Sequence, residues 1–231
     1  DLQSLSIGNN KISEIDLSSN TKLTSFSTAV NPISVLDLSN HPDLDSVDCG
    51  GSPCLTELKL DKAENISELI VDNTPLYYLD LTSAPWVGLS FYGTNLWGID
   101  LHPEASLSET SVTYKANMKG VNLAAMGIDL NKVTVNGCTI TEEGVLLPDP
   151  NAAESIYTYD CGNGKKLNVT IEWGVSLTEE NFPDVKFRET LSEEFGIAEG
   201  DWLTPENLNI TTLIFHSKGM TSIEGIEFFT K

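Results

Sequence analysis

Residues 2–22 read LQSLSIGNNKISEIDLSSNTK, and residues 23–43 read LTSFSTAVNPISVLDLSNHPD. Set one beneath the other, they share their apolar columns. Leu2, Leu5, Ile7, Ile12, Ile15 and Leu17 stand over Leu23, Phe26, Thr28, Ile33, Leu36 and Leu38. The shift from Leu2 to Leu23 to Leu44 is 21 residues, and Asn10 and Asn31 hold one slot between the two halves of a unit. A third unit follows at Leu44, Val47, Cys49, Leu55, Leu58 and Leu60, after a one-residue slip in GGSPC (50–54). A fourth runs Ile66, Leu69, Val71, Leu76, Leu79, Leu81, and a fifth Leu89, Phe91, Leu96, Ile99, Leu101. A fixed period of this length marks a stacked-repeat architecture.

Within a unit, the L-x-L triplet is a short strand that points two side chains inward and one outward. The slot Asn serves the corner, where its side chain can bond backbone groups that lack a ladder partner. One coil cannot cover its own apolar face, so coils must stack. The second half of each unit repeats the triplet as IDL, LDL, LKL, LDL and IDL (15–17, 36–38, 58–60, 79–81, 99–101). That repetition predicts extended structure on both flanks of each coil and little helix. The expected fold is mainly β: a solenoid of about five coils, a β-rich end module and a small α-helical cap module.

These units resemble the leucine-rich-repeat family, pattern LxxLxLxxNxL, in a short variety whose second half reads LxxLDL. The chain is similar in this respect to bacterial cell-surface members of the family. The resemblance implies a non-enzymatic extracytoplasmic scaffold, surface-bound, periplasmic or secreted, that mediates protein–protein interaction. Glycan binding and an adhesive or structural role are the alternatives, and a polysaccharide hydrolase is a more distant one.

Stacking turns outward positions into ladders. The second triplets present Asp16, Asp37, Lys59, Asp80 and Asp100. Coils spaced about 4.8 Å apart would set these carboxylates against one another unless they are solvated or paired, and Lys59 can pair on either side. Two readings stand, a cation site and a solvated acidic strip. The pair after the first apolar residue of each second half is Ser13-Glu14, Ser34-Val35, Thr56-Glu57, Tyr77-Tyr78 and Trp97-Gly98. Tyr77, Tyr78 and Trp97 are therefore expected side by side on adjacent coils. Clustered exposed rings mark a protein or sugar contact, and a following module folded over them is the competing reading. With Lys59, Asp80 and Asp100 they form the candidate ligand-binding set.

The period fails near residue 105, so the expected domains are 1–104, 105–175 and 176–231. ESIYTYDCGNGKKLNVTIEW (154–173) is a hairpin: alternating Ile156, Thr158 and Leu167, Val169, Ile171 flank Gly-Asn-Gly. The segment resembles the end module of some bacterial surface leucine-rich-repeat proteins, and would seal the last coil. In 176–231, Phe182, Val185, Phe187 and Leu191 fall near helical spacing, with Pro183 at the opening and Gly196 as the stop. Thr204 and Pro205 predict a second short helix. Ile210, Leu213, Phe215, Met220 and Ile223 then return to the repeat spacing, which resembles the family's N-terminal cap. Such caps can carry a calcium loop. With Glu206 at position twelve, positions one and three fall on Phe195 and Ile197, which supply no side-chain oxygen, so no metal is expected.

Read end to end, SIEGIEFFTK (222–231) leads in register into DLQSLSIGNN (1–10). A second array, an order different from the natural one, and docking on another copy all account for this. Each predicts that residues 210–226 stack on residues 2–17, within or between chains.

The chain carries 13 Lys+Arg against 34 Asp+Glu, a net charge of −21. No basic patch suited to nucleic acid is visible, and no stretch of 18 apolar residues could insert in a membrane. His41, His102 and His216 are scattered, and no G-x-S-x-G elbow or phosphate loop occurs, so neither catalysis nor a cofactor is expected. A glycosidase would need two facing carboxylates in different environments, and nothing singles out such a pair. Of the four cysteines, Cys49 could pair with Cys54 or fill a core slot, and Cys138 could bridge to Cys161.

Overall fold

The computed structural model describes residues 1–105, 107 and 110–229. The chain forms two compact units interleaved in sequence: Asp1–Val112, Leu123–Val135 and Ile156–Val169 make the first, and Thr113–Asn122, Asn136–Ser155 and Thr170–Lys231 the second.

Coil by coil, the first unit carries β1 (Ser4–Ser6), β2 (Ser25–Ser27) with β3 (Val35–Asp37), β4 (Ser46–Asp48) with β5 (Glu57–Lys59), β6 (Glu68–Ile70) with β7 (Tyr78–Leu81), and β8 (Gly88–Ser90) with β9 (Gly98–Leu101). Beyond the coils come β10 (Ser111–Asn117), β11 (Val121–Asn122), β12 (Val133–Asn136), β13 (Cys138–Ile140), β14 (Val145–Pro148), β15 (Ile156–Gly162) and β16 (Lys165–Ser176), then α1 (Val185–Phe195), β17 (Trp202–Leu203) and α2 (Pro205–Leu208).

The first flank of the solenoid is one parallel sheet in the order β1-β2-β4-β6-β8. Leu5, Phe26, Val47, Leu69 and Leu89 stand in register across it. The second flank pairs β3 with β5 and β7 with β9, also in parallel. Extended structure thus runs on both flanks of coils two to five, while residues 12–17 of the first coil form no strand. Leu17, Leu38, Leu60, Leu81 and Leu101 are all buried. Burying one such side chain is worth roughly 1.5–3 kcal/mol, so stacked rows, not single coils, hold the fold.

The corners follow from side-chain chemistry. Asn31 is fully buried; its amide donates to the carbonyls of Ile7 (2.8 Å) and Thr28 (3.0 Å), and its Oδ1 accepts from the Ile12 amide (3.0 Å). One residue therefore closes its own corner and ties it to the preceding coil. In later coils a hydroxyl takes over: Thr74 and Thr94 both donate to the Val71 carbonyl, at 2.8 and 2.6 Å. At the opposite corner Asp16, Asp37 and Asp80 each accept from the amide two residues on, Ser18, Ser39 and Thr82, at 2.9, 3.0 and 2.9 Å. The Ser18 hydroxyl and amide hold Asp16 below the usual carboxylate range, and the Ser39 amide and hydroxyl do the same for Asp37.

β15 and the first residues of β16 form the expected hairpin, turning through Asn163 (φ 53°) and Gly164 (φ 76°). Two successive left-handed residues match the twist of the strands they join, and Asn-Gly adopts that pair at little cost. All four cysteines are free; Cys49, Cys138 and Cys161 are buried and Cys54 is exposed. Neither anticipated bridge forms, and burial raises the Cys161 thiol to about 11.

In the second unit β17 pairs antiparallel with the end of β16, matching Val175 to Leu203. Asp184 caps α1 by accepting from the Phe187 amide (2.9 Å), and Gly196 ends the helix in the left-handed region. Pro183 precedes the cap residue instead of occupying the first turn. Thr204 caps α2 as expected, and Asn207 in return accepts from the Thr204 amide. Val175, Leu177, Phe182, Phe187, Leu191, Leu203, Leu208 and Phe228 make the core. Residues 210–226 contribute no strand; Phe215 packs edge-on to Phe187 at 5.9 Å, and Asp184 accepts from the Thr221 amide at 2.7 Å. β1 ends its sheet with β2 as its neighbour, and Leu2 is exposed.

Candidate functional site

The second flank holds the residues that the sequence nominates. In the β7–β9 register Tyr78 stands opposite Gly98, and Asp80 opposite Asp100. Gly98 has no side chain to lift the Tyr78 ring. A Cβ there would come within 3.0 Å of that ring and 3.2 Å of Tyr159. Both rings therefore lie close to the strand and converge on Asp100. Tyr78 donates to Oδ2 (3.0 Å), Tyr159 to Oδ1 (2.9 Å), and Lys132 to Oδ2 (2.7 Å). Burial, followed by the charge of Asp100, raises both phenols far above their ordinary range. Hydrogen bonding to Asp100 raises Lys132 as well. Asp100 is thus held by partners from β7, β15 and the 130–132 turn.

Trp97 is buried, contrary to its expected place on the outer surface. Tyr157 covers it edge-to-face at 5.2 Å and donates its hydroxyl to the Trp97 carbonyl at 2.6 Å. The hairpin strand folded over the last coil removes the open aromatic row. What survives is a shallow cleft of about 270 Å³ lined by Tyr77, Trp97, Pro75 and Met126. The other nominated residues stand apart. Lys59 pairs with its strand neighbour Glu57 at 3.1 Å, in the open, and Asp80 is the corner cap already described. Exposed pairs of this kind contribute little. The nominated six thus divide into a locked network (Tyr78, Asp100), a cleft (Tyr77, Trp97) and two separate surface groups (Lys59, Asp80).

The first flank offers what the sequence reading passes over. From residue 86 to residue 92 exposure alternates: Trp86, Gly88 and Tyr92 face solvent, Val87 and Phe91 are buried, and Leu89 and Ser90 are intermediate. Trp86 is 72% and Tyr92 78% exposed, the highest values among the exposed large hydrophobic side chains. Trp86 lies in the turn that leads into β8 and Tyr92 in the turn that leaves it. The neighbouring strands present Ser25, Ser27, Ser46, Asp48, Glu68 and Ile70 on the side of Gly88 and Ser90. The side chains on this side are mostly small or polar, and an exposed aromatic stands in the turn on either side of the last strand.

No protein-family model matches the sequence, and no curated protein matches it. Its fold defines it as a leucine-rich-repeat-like solenoid with a small helical part. Among solved structures, the functional domain of InlJ from Listeria monocytogenes, described as including a cysteine ladder, is similar at 16% identity with a TM-score of 0.27. The match covers 73% of this chain and 52% of that one, so the chain spans about half that structure's length. A likeness this low bears on neither site nor partner.

Proposed function

We propose that the chain is a non-enzymatic, extracytoplasmic binding scaffold whose protein partner docks on the first-flank sheet. The observation that carries this reading is the exposure of Trp86 and Tyr92 in the turns on either side of β8. Large rings cost water contact when exposed, and at interfaces they supply much area for little lost conformational freedom. A serine-rich sheet beside them lets a partner approach closely. The resemblance to bacterial surface proteins supports a surface setting. Glycan recognition is the second reading, favoured by the same rings, since sugars stack on aromatic faces.

The test is a panel of purified ectodomains and a glycan array, probed with wild type, Trp86→Ala/Tyr92→Ala and Tyr77→Ala. Protein binding that the double variant abolishes and Tyr77→Ala leaves intact is the expected result. Binding that survives the double variant would move the site elsewhere, and hits confined to the glycan array would establish the second reading.

A further inference from the structure

The lysines of the solenoid, Lys11, Lys22, Lys59 and Lys62, all lie off the first-flank strands, and Lys22, before β2, pairs with Asp43 at 3.0 Å. Between Leu23 and Tyr114 the sequence holds two, Lys59 and Lys62. Lys59 lies in β5 on the second flank and Lys62 at the corner after it. β2, β4, β6 and β8 hold none, while Asp45, Asp48, Glu68 and Asp72 lie on or beside them.

Among the described residues these four carboxylates are held by hydroxyls of neighbouring coils and form no ion pair. Ser67 donates to Asp45 (2.5 Å), Ser27 to Asp48 (3.4 Å), Ser46 to Glu68 (3.0 Å) and Ser90 to Asp72 (2.7 Å). Asp72 also accepts from the Tyr92 amide at 2.7 Å, which ties the charged row to the exposed ring. On the second flank Glu57 and Asp100 pair with Lys59 and Lys132, while Asp37 and Asp80 accept from backbone amides. A sheet face with fixed negative charge, no lysine or arginine on its strands and an exposed aromatic in the turn on either side of its last strand is complementary to positive charge on planar or aliphatic stems. Arginine and lysine side chains combine the two, since their stems cover apolar surface and their heads sit over aromatic rings.

Resting on the docking face proposed above, we infer that its occupant is a basic polypeptide segment. Its Lys or Arg groups meet Asp45, Asp48, Glu68 and Asp72, and it packs against Trp86 and Tyr92. Fixed opposite charge accelerates such an encounter and makes it sensitive to salt.

The experiment measures binding of the full chain to a short synthetic peptide alternating Lys/Arg with Gly/Ser, and to its Glu-substituted counterpart. The basic peptide should bind, lose about tenfold in affinity between low and physiological salt, and lose about tenfold again in Asp45→Asn/Glu68→Gln. The acidic peptide should not bind. Glu179→Gln/Glu180→Gln, which removes the same charge from exposed positions of the second unit, should leave binding within about twofold. Equal weakening by this control, or no binding of the basic peptide, overturns the inference. If the basic peptide fails while an ectodomain still binds through Trp86 and Tyr92, the charge assignment falls alone; if both fail, the docking face falls with it.

Discussion

At one end of the solenoid, β9 on the second flank is roofed by β15, with Trp97 under Tyr157 and Asp100 holding two phenols and a lysine. On the first flank of the same coil, the turns on either side of β8 carry Trp86 and Tyr92 into solvent, and the neighbouring strands carry carboxylates held by hydroxyls. Both flanks are built from similar short extended segments with tryptophan and tyrosine nearby. The difference comes from what covers them. Where a polar strand partner arrives, rings and charge become structural; where none does, they remain free to recognise something else. Stability and binding should therefore respond to substitutions on opposite flanks.

The largest effect on stability is expected at Asp100. Asp100→Ala leaves the Tyr159 hydroxyl without its acceptor in a buried setting and strands Tyr78 and Lys132, a cost of about 3 kcal/mol read from the urea midpoint. Lys132 keeps some access to water, so the phenols account for most of that figure. A shift below about 0.5 kcal/mol would mean that the roof does not depend on this network.

Alkaline titration sharpens the same point. Tyr78 and Tyr159 have folded-state pKa values above those of free phenols, and Lys132 lies above its ordinary value. For a raised pKa, the stabilisation is complete below the unfolded value, near 10 for tyrosine, and is lost as pH rises beyond it. The melting temperature should fall from about pH 10 upward, and in Asp100→Asn, without the repelling charge, the fall should be shallower. An identical slope in both proteins would remove Asp100 as its cause.

The smallest effect belongs to the open flank. Trp86→Ala and Tyr92→Ala should each change stability by no more than about 0.5 kcal/mol, because neither ring is packed. A larger loss in thermal unfolding would show that these rings serve the fold, and would weaken their reading as binding anchors.

Much of this architecture is legible in the sequence because it is periodic. The leucine column, the asparagine corner at Asn31, the hairpin turn at Asn163-Gly164 and the capped helix at Thr204 all rest on local spacing that recurs or has a fixed chemistry. The fate of the aromatics depends on long-range pairing. Trp97 is buried by Tyr157, 60 residues away, and the IDL of coil five reads like the LDL of coil four although Asp100 and Asp80 have different partners. Trp86 and Tyr92 escape notice because coil five is a residue short between Val87 and Leu89, where coil four spaces Ile66 and Leu69 three apart. That deletion sets Tyr92 21 residues after the inward-facing Val71, and so hides its outward place. Residues 210–226 keep the apolar spacing of a coil without its strand; Phe215 instead joins the core around Phe187.

Hydroxyl-radical footprinting with residue-resolved mass spectrometry tests the contrast between the flanks most directly. Rapid oxidation of Trp86 and Tyr92, with Trp97 and Tyr157 modified far more slowly, is the result this arrangement predicts. Rapid oxidation of Trp97 alongside protection of Trp86 would contradict it, because the open aromatic face would then lie on the other side of the coil.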